Sequence, residues 1–236
     1  MEKRGQIVAM GGGGFSMEPD NPLLDRYVLN LAAASRPRIC FVPTASGDAD
    51  GYIVNFYAAM ARLECRPCHL SLFRPPTADL QSFVLDQDII YVGGGNTKSL
   101  LALWREWRLD VIFREAWGRG IVLAGISAGS ICWFEQGVTD SIPGALTPLK
   151  CLGFLEGSNC PHYDGEPLRR PAYQRLVSEG LIADGYAADD GVALHFVGNR
   201  LERIVSSRPH ARAYWLERAG AGVQETPLVT TYLGPP

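Results

Sequence analysis

Gly125-Ile126-Ser127-Ala128-Gly129 is the stretch of this 236-residue chain best suited to chemistry. It fits the pattern G-x-S-x-G and stands between an apolar run, Ile121-Val122-Leu123-Ala124, and a helical segment. A tight strand-to-helix turn in that place exposes a serine hydroxyl for nucleophilic attack. Small residues on either side of Ser127 let the backbone bend and substrate approach, and at a helix N-terminus the amide of Ala128 can face a developing oxyanion. Standing alone, the same five residues also fit a glycine turn in which Ser127 caps a helix, so other residues must decide.

A serine at its free pKa is a poor nucleophile and needs a base, itself held by an acid. His195 sits in the apolar run 192–197, His210 follows Arg208-Pro209 in a turn, and His69 abuts a cysteine pair. His162 differs, because Asn159-Cys160-Pro161-His162-Tyr163-Asp164-Gly165 is built of turn-forming residues that can present an imidazole. For the acid, Asp140 follows the nucleophile helix in a loop, and Asp189 and Asp190 are its rivals. Gly93-Gly94-Gly95-Asn96-Thr97, after another apolar run, offers backbone amides without a Cβ in the way and so a second oxyanion donor. The glycines at 11–14 suggest a phosphate cradle, but they lack the third glycine of G-x-G-x-x-G, and the chain contains no G-K-[ST].

These segments need a scaffold that gathers them. Apolar runs at 7–10, 38–42, 88–92 and 121–124 alternate with helical patterns: Leu23, Leu24, Tyr27, Val28 and Leu31 share one face, as do Ile53, Phe56, Tyr57, Met60 and Leu63. A further strand is expected near 68–72, and helices at 99–107 and onward to 117. Continuous apolar strands between helices predict an α/β fold, a mostly parallel sheet with helices on both faces and functional groups at the strands' carboxyl ends. Val192 to Val197 and Leu201 to Val205, separated by Gly198-Asn199, predict a short β-hairpin region near the C-terminus, with another strand over 211–216. No linker divides residues 1–236, so a single domain is expected.

Composition narrows the class. Hydrophobic residues make up 47% and charged residues 20%, the balance of a globular core, and the formal net charge of −3 comes without a basic block for nucleic acid or membrane. The polar start at residues 1–6 runs into only four apolar residues, too few for a signal-peptide core, so a cytoplasmic location is expected. Six cysteines fit a reduced compartment, and Cys65-Arg66-Pro67-Cys68 reads as structural because zinc would need a second ligand pair.

Taken together, the glycine-rich first loop, Val42-Pro43-Thr44-Ala45-Ser46, Val92 to Thr97, the Ser127 turn, Thr139-Asp140 and Cys160-Pro161-His162 resemble the peptidase E family of serine peptidases. That family's fold is similar to class I glutamine amidotransferases with serine in place of cysteine. The resemblance implies Ser127 as nucleophile, His162 as base, Asp140 as acid and an oxyanion hole from Gly94, Gly95 and Ala128. Asn96, Thr97, Arg169 and Arg170 are placed to bind substrate, and Arg175 could also reach a substrate carboxylate. It further implies hydrolysis of dipeptides with an N-terminal aspartate, without metal or cofactor, with a small peptide as partner; the exposed hairpin region adds a homodimer as a further expectation. Ile126 stands where peptidase E usually carries Trp, and Ser130 to Trp133 replace a smaller Ala-Asn continuation, changes expected in the wall near substrate. Two rival readings are a cyanophycinase-like peptidase acting on β-aspartyl-arginine and a silent amidotransferase-like binding module.

Overall fold

A computed structural model of the protein describes residues 5–235; residues 1–4 of the polar start, and residue 236, lie outside the described residues. The first half alternates strands and helices: β1 (Gln6–Met10), α1 (Gly14–Met17), α2 (Leu23–Leu29), β2 (Arg38–Val42), α3 (Asp50–Met60), β3 (Arg66–His69), α4 (Leu80–Leu85), β4 (Ile89–Val92), α5 (Thr97–Glu106), α6 (Leu109–Gly118) and β5 (Val122–Ile126). Strands β3, β2, β4, β5 and β1 lie side by side in that order, all parallel.

Each strand is apolar throughout because both its faces are covered. Ile7, Cys40, Val42, Ile90 and Leu123 point to the side packed by α4, α5 and α6, among Val84, Leu100, Trp104 and Phe113. Their neighbours Val8, Ile39, Phe41, Ile89 and Val122 point to the opposite side, among Leu24, Val28, Phe56 and Met60 of α2 and α3. The expected sheet with helices on both faces is therefore present. The strand expected near 68–72 is instead Arg66–His69, because Asp48 holds the following residues in a turn: its Oδ2 accepts the Ser71 hydroxyl at 2.5 Å and the Leu72 amide at 2.7 Å. Cys68 faces Cys40 across the β2–β3 pairing, while the Cys65 thiol donates to the Met60 carbonyl.

The second half is richer in strands: α7 (Ala128–Ile131), β6 (Phe134–Thr139), β7 (Thr147–Lys150), β8 (Leu155–Cys160), α8 (Arg169–Ser178), β9 (Gly185–Ala188), β10 (Val192–Val197), β11 (Arg200–Ser206), β12 (Ala213–Ala219), β13 (Gly222–Leu228) and β14 (Thr231–Tyr232). Strand β10 pairs antiparallel with β1 and turns through Gly198, at φ 58°, into β11, the expected hairpin. A second sheet, in the order β13-β12-β9-β8-β6-β7, was not apparent in the sequence. Phe-Glu-Gln-Gly-Val-Thr of β6 and Leu-Glu-Gly-Ser-Asn-Cys of β8 carry too few apolar residues to stand out as strands. Among the described residues no helix is long and apolar enough to cross a membrane.

Aromatic side chains fill the layer beside the Ser127 turn. Trp133 is fully buried against Trp104, Phe113 and Phe154, with ring centroids 5.5–6.1 Å apart, and its indole N–H has no hydrogen-bond partner. A buried orphan donor is unfavourable by about 1–3 kcal/mol, whereas emptying so large a site is unfavourable by about 3–5 kcal/mol. Trp133→Phe is therefore expected to leave stability within about 1 kcal/mol of wild type and Trp133→Ala to lower it by about 3–5 kcal/mol, as read from urea unfolding.

Candidate active site

Ser127 lies in the turn between β5 and α7 with φ 57° and ψ −112°, a conformation that L residues adopt only under constraint and that is unfavourable by roughly 1–3 kcal/mol. The flanking glycines make it attainable. A Cβ on Gly125 would collide with the Gly129 backbone, and one on Gly129 would collide with the Val92 carbonyl, so α7 can sit directly on the strand ends. The Ser127 amide donates to the Met10 carbonyl at 3.2 Å, which ties the turn to β1. Ile126 and Trp133 are both buried, so these departures from the peptidase E pattern lie in the core and not on a substrate wall. Ser130, also buried, donates from its hydroxyl to Asn159 Oδ1 at 3.0 Å and links α7 to β8.

Strand β8 leads directly to His162, whose φ of 54° is likewise in the left-handed region. Its Nδ1 is 2.7 Å from Asp190 Oδ1. Asp190 arrives on the short crossing from β9 in the second sheet to β10 in the first, and three contacts hold it there. Its amide donates to Asp164 Oδ1 at 2.7 Å, the Gly191 amide donates to the Gly12 carbonyl at 3.0 Å, and the Tyr163 amide donates to the Ala188 carbonyl at 3.1 Å. Gly12 and Gly165 leave the space that the Asp190 carboxylate fills, since a Cβ at either would overlap it. Burial pushes this carboxyl up, but the hydrogen bond and charge of His162, joined by Arg208 and Arg169, outweigh burial and hold it below the ordinary carboxylate range.

Asp140, the acid expected from the family resemblance, is exposed and pairs at 3.7 Å with Arg169, while His162 is hydrogen-bonded to Asp190. Asp189, the other rival, accepts the Arg212 amide at 2.9 Å, and burial raises it to about 6. Of the expected oxyanion donors, the Gly94 amide is engaged by the Tyr52 hydroxyl at 3.2 Å; those of Gly95 and Ala128 have no protein partner among the described residues. Asn96 and Thr97 are engaged within the fold: Asn96 caps α5 through the Ser99 amide and donates to the Ser141 carbonyl, and Thr97 is buried against Thr139.

The three arginines are also engaged elsewhere. Arg169 is buried and donates to Glu166 at 2.6 Å and to the Val138 carbonyl at 3.0 Å. Arg170 pairs with Glu225 and lies over the Tyr163 and Tyr214 rings, and Arg175 pairs with Glu179 at 2.7 Å. A cation that sequence reading passed over also bears on the His162–Asp190 pair: Arg208, bound to Glu18 at 2.7 Å, whose charge helps to depress the Asp190 pKa. Its place just before Pro209 gave no signal of this, because Glu18 is 190 residues away.

The glycine run at 11–14 packs over buried carboxyls, the wrong charge for a phosphate. Gly14 approaches Asp25, which accepts the Tyr91 hydroxyl at 3.3 Å. Burial raises Asp25 to about 6, with the Phe15 amide and Tyr91 hydroxyl offsetting part of the rise. Between the unfolded value of about 4 and the folded value of about 6 the folded chain holds this proton more tightly, so stability falls as pH rises through that interval and flattens above it. Asp25→Asn should therefore gain about 2–3 kcal/mol over wild type at pH 8 and little at pH 4, measured as the difference in urea unfolding at the two pH values.

Comparison with known proteins places this geometry. The profile of peptidase family S51 matches residues 7–204. The chain is 62% identical over 229 residues to the uncharacterized peptidase YgaJ of Bacillus subtilis, covering 97% of this chain and 99% of that one. It is 27% identical over 169 residues to the uncharacterized peptidase Lmo0363 of Listeria monocytogenes, covering 67% of this chain and 79% of that protein. Two crystal structures share the fold. A peptidase from an acI-B1 actinobacterium superposes with a TM-score of 0.67 at 17% identity, over 98% of this chain and 96% of its own. A putative peptidase E protein from Listeria monocytogenes superposes with a TM-score of 0.58 at 18% identity, over 96% and 100%. With a strained serine turn, a histidine held by an aspartate and a family profile spanning both, the chain belongs to peptidase family S51.

Proposed function

We propose that the protein is a serine peptidase that cleaves short peptides, dipeptides with an N-terminal aspartate foremost, through Ser127, His162 and Asp190. The observation that carries this reading is the 2.7 Å contact between His162 Nδ1 and Asp190, on a loop tied through Asn159 to the helix that begins at Ser127. With Nδ1–H donating to the carboxylate, Nε2 keeps its lone pair and can act as a base. Ser127 Oγ attacks the scissile carbonyl as Nε2 takes its proton, and the Asp190 charge stabilises the imidazolium that forms. The carbonyl oxygen becomes an anion facing the Gly95 and Ala128 amides. Collapse releases the amine with the proton from Nε2, and water then cleaves the acyl-enzyme by the same route in reverse.

The aspartate preference is supported by the resemblance to peptidase E and by the likeness to the putative peptidase E of Listeria monocytogenes. Arg169, Arg170 and Arg175, the cations expected to meet the substrate carboxylate, are each paired with an acidic side chain. Hydrolysis of Asp-Leu, Glu-Leu, Ala-Leu and β-Asp-Leu with chelator present tests the preference: turnover confined to Asp-Leu supports it, and cleavage of none removes it.

The catalytic roles are separable in the same assay. Ser127→Ala and His162→Ala should abolish turnover, and Asp190→Asn should lower kcat by about 10²–10⁴-fold by losing the tautomer and the charge. Asp140→Asn should stay within about threefold of wild type, since an exposed, loosely paired carboxylate contributes little. A large loss in Asp140→Asn beside near-normal Asp190→Asn would return the acid to position 140.

A further inference from the structure

Four consecutive amides run through the loop after β4, and their hydrogen bonds are unequal. The Gly93 amide donates to the Val42 carbonyl at 3.1 Å, continuing the strand pairing. The Gly94 amide donates to the Tyr52 hydroxyl at 3.2 Å, and the Asn96 amide donates to the Ala45 carbonyl at 2.8 Å. Gly95 stands between the last two, with φ 135°, and its amide has no protein partner among the described residues. The loop touches the nucleophile directly: a Cβ on Gly94 would lie 3.2 Å from Ser127 Cβ and 3.7 Å from Ser127 Oγ.

Asn96 and Gly93 are held by backbone carbonyls, as part of the fold. The Gly94 anchor alone is a side chain, and it comes from a different element, α3. The Tyr52 ring is fixed between Phe41, with centroids 5.0 Å apart, and Phe15 of α1 at 5.5 Å, so its hydroxyl is delivered to the loop from a rigid aromatic layer. Gly93 has no side chain because the Tyr52 and Phe41 rings occupy the place where its Cβ would be.

We propose that Tyr52 is a positioning residue for the oxyanion hole: by accepting the Gly94 N–H it fixes the 93–94 peptide plane, and with the Asn96 amide anchored on Ala45 it holds Gly95 between two fixed planes and so aims the Gly95 amide beside Ser127. The proposal rests on the Ser127 peptidase reading and adds a residue outside the triad to it. A donor aimed in advance stabilises the anion without reorganising at the moment of reaction, and a loose one does not. Because the oxygen acts through Gly94, its loss should lower the rate of bond formation at Ser127 and leave ground-state binding largely intact.

The test is the second-order rate at which a fluorophosphonate probe labels wild type, Tyr52→Phe, Tyr57→Phe and Ser127→Ala. The probe's phosphoryl oxygen occupies the oxyanion position, and labelling needs no knowledge of peptide specificity. Tyr57→Phe is the control, since its hydroxyl meets His69 away from the site. Tyr52→Phe is expected to label about tenfold more slowly, roughly the effect of one lost hydrogen bond at the hole, with Tyr57→Phe unchanged. Hydrogen exchange followed by mass spectrometry supplies the second readout: residues 93–96 should exchange faster in Tyr52→Phe while β4 keeps its protection, which also reports that the variant is folded. Labelling and loop exchange equal to wild type, or faster labelling because Tyr52 had blocked the Gly94 amide, would overturn the proposal while leaving the Ser127 reading intact. Wild type that does not label at Ser127 would overturn both.

Discussion

The chain crosses between two sheets at residues 188–192, and the site depends on that crossing. Strand β9 ends in the second sheet, β10 begins in the first beside β1, and the few residues between them carry Asp190 to His162. The crossing is narrow because backbone passes close to backbone: Gly12 bridges to Asp190, Gly191 donates to the Gly12 carbonyl, and a Cβ on Gly11 would meet the Ala188 and Asp189 carbonyls. The glycines at 11 and 12 thus serve close approach between strands and leave no role for phosphate.

Two residues of the site, Ser127 and His162, have positive φ without being glycine, and each is unfavourable by itself. The surrounding hydrogen bonds hold them. Ser127 is fixed through its amide to Met10, and α7 is joined to β8 by the buried Ser130–Asn159 bond. His162 is fixed at its ring by Asp190 and at the next residue by the Tyr163–Ala188 backbone bond. Behind them Glu225 accepts the Tyr163 hydroxyl at 2.5 Å and Gln174 at 2.8 Å and pairs with Arg170, which pins the β12–β13 hairpin to α8 and the His162 loop. The carboxylate so surrounded is held below its ordinary pKa: burial raises it, and these donors lower it by more. It therefore contributes stability above the ordinary carboxylate range that is lost as pH falls.

The charged groups divide by what they meet. Arg169 lies under the His162 loop with Glu166 and the Val138 carbonyl, and Arg170 stacks on two tyrosines, so both organise the protein's own surfaces. Asp140 is at the surface beside Arg169, about where a loop aspartate is expected to be solvated. Near the His162–Asp190 pair, Glu18–Arg208 joins α1's end to the turn after β11, and the Arg208 charge bears on Asp190.

By itself the sequence determined the layers and the Ser127 turn. Apolar runs of four or five residues between amphipathic segments specify buried parallel strands, and small residues around Ser127 specify a turn that only small residues can make. His162 was legible for a similar local reason, a histidine among turn formers. The aspartate that meets His162 was not, because Asp140, Asp189 and Asp190 are all aspartates in loops, and only the crossing from β9 to β10 brings one of them to 2.7 Å from the imidazole. The same holds for the Gly94 amide, whose partner Tyr52 lies 42 residues earlier on a helix read only as packing. Local pattern reports which face of an element is buried; which polar groups meet across elements is decided by tertiary packing, since a hydrogen bond needs its two atoms within about 3 Å whatever their separation along the chain.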